Sequence, residues 1–427
     1  MYPTGRVRTE KGNSGAYMST HNVDARRKKL TLGFNVPVRV ILAVFSLCAI
    51  CFGQSPPTFV MDGHVHIINR QLYLGGDISD HYKDGQVDLP RIRKGGINAI
   101  FFSLFTSDSY YPNRFELKQT MILMDLALRQ IRKNQDQIEI ARNASDIERI
   151  YKSGKIAAFL HLEGSFDLDG DLGVLRDLYR LGLRSAMFVA HNTDTNFADS
   201  CCSPPKWNGI TAHGIELVHE MNRLGMVIDV AHASDATMRQ VAAASSDPII
   251  YSHGGSMSIV KVPRNITDET AKIIAAKGGV IGLQFGNGFN NPKYHDWLES
   301  HRESRPAPLF TSSAPLLASL QAVNDKEAKL YPPVPEDVPE ELRMPVDQLV
   351  AVLDHWIEVV GEDHVSLGSD FDGWLPVPKD MHDIGDYQLL ITAMRRHGYS
   401  DERVRKIAGL NLLRVIRQVT QKQQPVR

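Results

Sequence analysis

The chain has 427 residues, 43% hydrophobic and 23% charged, which is enough for one large catalytic domain or two small ones with a substantial core. Its 48 basic and 49 acidic side chains leave a formal net charge of -1. That balance excludes a bulk electrostatic pull toward nucleic acid or anionic lipid and points to small or neutral partners.

Residues 1-54 read as separate from the fold. RRKK at 26-29 precedes the apolar run VRVILAVFSLCAICFG at 38-53 and the polar QSPPT. This is the order of a secretory signal, with cleavage expected between Cys51 and Gln54; the alternative is an uncleaved anchor, since the apolar stretch is just short of spanning length. Met18 is a second candidate start that leaves a more ordinary signal. The expected location is therefore exported, periplasmic or extracellular, with membrane attachment only if the segment stays uncleaved. Cys48 and Cys51 lie inside the apolar run, so their C-x-x-C spacing carries no redox or zinc meaning. Neither is preceded by a lipobox, and the C-terminal QVTQKQQPVR has no GPI-type tail.

From residue 55 to about 420, strands and helices alternate. Apolar runs fall at 59-65, 97-105, 155-164, 183-191, 226-232, 248-253, 278-285 and 364-371, rich in β-branched and aromatic residues with little polar alternation. That composition fits strands buried on both faces, as parallel sheets require. Helical spacing is clear over 116-134, 211-224, 234-245, 265-277 and 345-360, several opening on Ser, Thr, Asn or Asp as N-cap. The repeat predicts an α/β fold of TIM-type (β/α)8 barrel class. Two segments interrupt it. Residues 67-96 show no crossover helix before about Leu89 and read as a small flap. Residues 289-344 form an insertion whose prolines at 332, 333, 335 and 339 exclude a regular helix there; it reads as a lid or as a passive decorated loop.

Seven metal- or proton-capable side chains sit at or just past the C-terminal ends of these runs: His64, His66, Glu163, His191, His232, His253 and Asp370. In a parallel barrel only those ends open onto one mouth, so this is the layout expected of a metallo-dependent hydrolase barrel. His64 and His66 share a side because strand side chains alternate, so two imidazoles can meet one cation. Glu163 has two oxygens with which to bridge two ions. His232 and His253 end consecutive runs opposite that set. Asp370, in GSDFDG, can accept a proton from an activated water and pass it to a leaving amine, while Asp372 in the same motif is its rival or a loop brace. Cys201 and Cys202 are expected as two unpaired thiols in a loop, leaving the mature protein without structural disulfides.

The segments DGHVH (62-66), HLEGSF (161-166), LGLRSAMFVAHN (181-192), NRLGMVIDVAHASDATM (222-238), PIIYSHGGS (248-256), VPRN (262-265) and SLGSDFDG (366-373) together resemble the renal (membrane) dipeptidase family, zinc peptidase family M19 of the amidohydrolase superfamily, over roughly residues 58-418. The resemblance implies a binuclear zinc site, with Co2+ or Mn2+ as substitutes, in which Glu163 bridges, His64 and His66 hold one ion and His232 and His253 the other. It also implies that His191 contacts the substrate carbonyl, Arg264 binds the C-terminal carboxylate of a dipeptide and Asp370 is the acid/base. Taken alone, Arg264 reads equally well as a salt-bridge residue near a helix start. One departure stands out: mammalian members carry H-x-D where this chain has His64-Val65-His66. Their paired cysteines and lipid-anchor tail are also missing, so their disulfide-linked, tethered state does not carry over; a homodimer is left open. Competing readings are hydrolysis of another small amide, such as an N-acyl amino acid, and a non-catalytic metal- or peptide-binding relative.

Overall fold

Eight of the nine strands among the described residues arise where the apolar runs predict them. In chain order they are β1 (Met61–Val65), β2 (Ala99–Phe105), β3 (Ile138–Ile140), β4 (Ile156–Glu163), β5 (Ser185–Met187), β6 (Val227–Asp229), β7 (Ile250–Gly254), β8 (Val280–Leu283) and β9 (Val365–Leu367). The computed structural model describes residues 58-110, 115-164, 170-189, 191-301, 319-329, 338-373 and 375-421, all within the unit Ser55–Arg427. The predicted signal or anchor in 1-54 lies outside the described residues.

Every residue of β1, β2 and β4 is buried, which is why these strands are apolar on both faces. All pairings are parallel, in the order β1-β2-β4-β5-β6-β7-β8-β9. The seam between first and last strands is drawn together just past β9, where the Asp370 N–H donates to the His64 carbonyl (2.9 Å) and the His66 N–H to the Phe371 carbonyl (3.1 Å). β3 was not anticipated. It pairs Ile138 to Ile140 with Ile156 to Ala158 of β4, while β5 takes up the far end of β4 at His161 and Leu162. With three residues it is too short to show a period of its own.

The five predicted helices are present as Glu116–Lys133, Ala212–Leu224, Asp235–Ala244, Asp268–Ala276 and Val346–Val360. Thr211, Ser234 and Thr267 cap three of them by accepting the N–H of Gly214, Thr237 and Thr270. The Thr267 cap is why that helix starts at Asp268 and not at 265. Further helices occupy Ala144–Lys152, Leu172–Leu181, Tyr387–Arg396 and Asn411–Thr420. The last of these buries Leu412, Leu413, Val415, Ile416 and Val419 in one apolar cluster with Met61, Ala99, Phe159, Val227, Ile250 and Val280. These strand residues lie toward the N-terminal ends, so that end of the barrel is closed with hydrocarbon and the polar residues concentrate at the other.

The two irregular segments contain more helix than the sequence indicates. A short helix at Asn69–Leu74 precedes the expected one at Leu89–Lys94. The insertion carries helices Pro292–Ser300 and Leu320–Ala328 and a 3-10 turn at Glu340–Leu342. Prolines 332, 333 and 335 lie outside the described residues. No described helix is long and apolar enough to cross a membrane. Gly282 and Gly368 allow β8 and the end of β9 to approach β7, because a Cβ at either would collide with the Ser252 carbonyl.

Candidate metal centre and active site

The seven strand-end residues converge. His64 Nε2 lies 3.2 Å from His66 Nε2, and His232 Nε2 lies 3.2 Å from His253 Nε2. Glu163, the last residue of β4, stands between these pairs. Its Oε2 is 3.3 Å from His64 Nε2 and 3.4 Å from His66 Nε2, whereas Oε1 is 3.5 Å from His232 Nε2. Asp370 Oδ1 approaches His66 Nε2 at 3.0 Å and His64 Nε2 at 3.9 Å. Three overlapping groups have ligand atoms within 4.8 Å of one another: His64, Glu163 and His253; His64, His66 and Asp370; Glu163, His191 and His232.

This donor set suits divalent cations. Four imidazoles and two carboxylates point their donor atoms inward, and buried Glu163 Oε2 is surrounded by ring nitrogens without an aligned hydrogen-bond donor. Two of the rings are steered from behind, as metal-binding histidines require: Ser103 Oγ is 3.1 Å from His64 Nδ1 and Ser252 Oγ is 2.8 Å from His253 Nδ1. Burial holds His232 and His253 well below the usual imidazole range, so both rings are neutral and each has a nitrogen lone pair that could meet a cation. Burial would lower His66 too, but the Glu163 and Asp370 carboxylates outweigh it and raise His66 to about 9. Burial would likewise raise Glu163, yet His66 and His64 hold it well below the carboxylate range. Without metal, therefore, a proton on His66 balances the carboxylates in the place a cation would take.

The two aspartates of GSDFDG separate cleanly. Asp370 accepts Gln284 Nε2–H through Oδ2 (2.6 Å), leaving Oδ1 turned to the imidazoles of His66 and His64. Asp372 is occupied elsewhere, accepting the Gln86 N–H (2.7 Å) and the Val87 N–H (2.9 Å), so it braces the 67-96 segment. Burial raises its carboxyl to about 6 against those two donors. His191, His232, Asp370 and Asp372 all have positive φ, between 30° and 63°, a conformation costly for residues other than glycine and concentrated at functional sites.

Arg264 is buried and does not pair with an acid on the adjoining helix. Its Nη1 donates to Tyr251 Oη (2.9 Å) and its Nη2 to the His253 carbonyl (2.8 Å), and the guanidinium lines a cavity of about 610 Å³ with His66, Glu163, His191, His232 and Asp370. The salt-bridge reading is thereby set aside in favour of a cation held at the cavity wall. Helix Pro292–Ser300 of the insertion contributes Glu299 to the same lining.

One expectation is overturned. Cys201 and Cys202 form a vicinal disulfide, and Cys202 lines the cavity. The loop that carries them is fastened to the site: the Cys201 N–H donates to the His232 carbonyl (2.8 Å), and Ser200 Oγ donates to the carbonyls of His191 (2.8 Å) and His232 (3.2 Å). These anchors hold the two sulfurs together on a fixed turn, which adjacency in sequence does not reveal.

Several supporting residues escaped the sequence reading. Asp62 Oδ1 accepts the N–H of His64 (3.0 Å) and Ser369 (2.9 Å), joining β1 to the turn before Asp370. Asp229 Oδ1 does the same between β6 and β7, accepting from Ala231 (2.9 Å) and Ser252 (3.1 Å). His161, neutral through burial, packs beneath His64 and reaches Ser185 Oγ (3.0 Å). Gln284, just past β8, could have been found by the strand-end rule; the others fall inside the apolar runs of the sequence, where polarity alone signals them.

Comparison with known proteins agrees with this geometry. The chain is 29% identical over 339 residues to "Dipeptidase verJ" of Clonostachys rogersoniana, covering 77% of this chain and 74% of that protein. It is 29% identical over 377 residues to "Dipeptidase tcpJ" of Claviceps purpurea, covering 84% and 76%. Among solved structures, the probable dipeptidase PvdM from Pseudomonas aeruginosa superposes with a TM-score of 0.72 at 23% identity, covering 91% of this chain and all of that one. A Rhodobacter sphaeroides metallopeptidase liganded with a phosphinate mimic of L-Ala-D-Ala superposes with a TM-score of 0.66 at 23% identity, covering 85% and 100%. These two likenesses establish the barrel fold. A family model described as membrane dipeptidase, peptidase family M19, matches residues 57–427, and the chain belongs to that family of hydrolases.

Proposed function

We propose that this protein hydrolyses the peptide bond of dipeptides, L,L and L,D alike, at a binuclear zinc centre that also accepts Co2+ or Mn2+. The observation that carries the reading is Glu163, whose two oxygens face separate imidazole pairs, His64 with His66 and His232 with His253. Such a carboxylate fits between two cations and has no comparable role at a single one. Bound at those residues, zinc supplies an acidified water and polarises the scissile carbonyl.

The chain's own residues do the rest. Asp370 Oδ1, kept in place by the Gln284 bond to Oδ2, takes the proton of the attacking water and returns it to the departing amine. His191 lines the same cavity and faces the carbonyl oxygen, where charge develops in the transition state. Arg264 is fixed by Tyr251 and the His253 carbonyl, and its remaining N–H bonds receive the free C-terminal carboxylate. A cation buried beside the reacting centre limits the substrate to one residue beyond the scissile bond. The N-terminal basic and apolar segment supports action outside the cytoplasm.

The test is to load the purified full chain with zinc, count bound metal, and assay L,L- and L,D-dipeptides beside N-acyl amino acids. Two zinc ions per chain with dipeptide turnover is the expected result. Two zinc ions with turnover of N-acyl amino acids only, or with none, overturns the proposal.

A further inference from the structure

The insertion meets the site through a turn that none of the catalytic assignments uses. Directly after β2, residues Asp108–Tyr110 form a 3-10 turn. Asp108 is buried, and its Oδ2 accepts the Asn192 N–H (3.3 Å) while lying 3.5 Å from His191 Nδ1. The Nδ1 edge of the ring therefore faces Asp108, which leaves the Nε2 edge for the cavity that His191 lines. The other two residues of the turn face outward to helix Leu320–Ala328. Ser109 Oγ donates to Glu327 Oε1 (2.6 Å), and Tyr110 Oη donates to Asn324 Oδ1 (2.7 Å). Glu327 and Val323 of that helix are buried, so the helix is seated on the barrel rim rather than displayed in solvent.

We propose that Asp108 is the positioning residue for His191, and that the inserted helix Leu320–Ala328 holds Asp108 in place through Ser109 and Tyr110. A carboxylate behind one ring nitrogen fixes the plane of the imidazole and sets which nitrogen meets the substrate. His191 has special need of it. Its backbone has φ of 30°, and no regular strand carries it, since β5 ends at Met187. The insertion is thus a structural part of the active site and not a decoration on the barrel. The inference rests on the role given to His191 above, and the experiment separates the two.

The zinc-loaded full chain is compared with Asp108→Asn, Asp108→Glu, Glu327→Gln and His191→Ala, reading zinc content, kcat and KM on a dipeptide, and the ring nitrogen resonances of His191. Asp108→Asn is expected to lower kcat roughly tenfold to a hundredfold, with KM and zinc content held within about twofold. It should also shift the Nδ1 resonance, and Asp108→Glu should recover part of both effects. In the His191→Ala background the Asp108→Asn loss should vanish, since the two residues act as a unit. Glu327→Gln, remote from the ring, should lower kcat a few-fold in the same direction. A folded Asp108→Asn with unchanged kcat and resonance overturns the proposal, as does a loss that persists in full without His191. Should Asp108→Asn fail to fold, Glu327→Gln decides: an unmoved kcat and resonance there overturn it. If the wild type cleaves no dipeptide, the functional reading fails, while the resonance still decides whether Asp108 orients the ring.

Discussion

Asn substitutions at Asp370 and Asp372 should fail in opposite ways although the residues are two apart. Asp372 accepts two backbone N–H groups, of Gln86 and Val87, in a nearly fully buried position. In Asp372→Asn one carbonyl oxygen remains for one donor and an NH2 faces the other. A charge-assisted bond is lost, a second is weakened, and a buried amide is left without an acceptor, a combined cost of about 2-4 kcal/mol. For a unit the size of Ser55–Arg427 the unfolding entropy is on the order of 0.8 kcal/mol per degree, so Tm should fall by about 3-5 °C. Turnover should stay within about threefold of wild type, because both oxygens of Asp372, although it lines the cavity, are taken up by the Gln86 and Val87 N–H groups. Asp370→Asn keeps an oxygen for Gln284 and leaves five candidate ligands in place, so Tm and zinc content should hold while kcat drops about 10²- to 10⁴-fold. Thermal denaturation of the zinc-loaded variants and initial-rate dipeptide assays read both quantities. A large kcat loss at unchanged Tm in Asp372→Asn would refute the division of labour.

Other outcomes follow from the same geometry. Arg264→Lys should raise KM for a dipeptide roughly tenfold or more, and the variant should lose most of its discrimination against the C-terminally amidated dipeptide, measured by comparing kcat/KM for the two. Zinc uptake should release the His66 proton at any pH below about 9, so apparent zinc affinity should climb with pH toward that value in a calorimetric titration run in two buffers. In metal-free protein the stabilisation from protonated His66 should be complete below its ordinary value of 6.5 and lost as pH rises through about 9; pH-dependent melts of chelator-treated protein check this. His66→Asp should retain activity and shift the pH-rate profile, since a neutral ligand becomes an anionic one. Chelation should abolish turnover and lower Tm, with both restored by zinc.

Residues at strand ends were legible because two simple rules act on them. Burial on both faces makes the preceding run apolar, so a polar residue closing that run is conspicuous, and parallel closure brings all such residues to one rim. His64, Glu163, His232, His253 and Asp370 were found this way, and their convergence required no contact information. Asp62, Asp229 and His161 obey no such rule, since they sit inside the barrel where a polar side chain is acceptable only because specific N–H and hydroxyl partners meet it. Asp108 was invisible for a different reason: its importance depends on His191, which is distant in sequence. The vicinal pair Cys201 and Cys202 was misread because its pairing is set by loop anchors to His191 and His232. β3 and the helix Asn69–Leu74 were missed through shortness, which leaves no full period to detect.

The seam of the barrel runs through the cluster of imidazoles and carboxylates: His64 and His66 lie at the end of the first strand, Asp370 follows the last, and two backbone bonds stitch one to the other. This fixes when activity can arise during synthesis. A nascent chain that has emerged only through β8 already presents His64, His66, Glu163, His232 and His253, yet it has neither the partner strand for β1 nor Asp370, the proton acceptor of the proposed reaction. Premature termination anywhere before residue 370 should therefore yield a product unable to turn over substrate, however much of the sheet has formed, so hydrolysis waits for the end of translation.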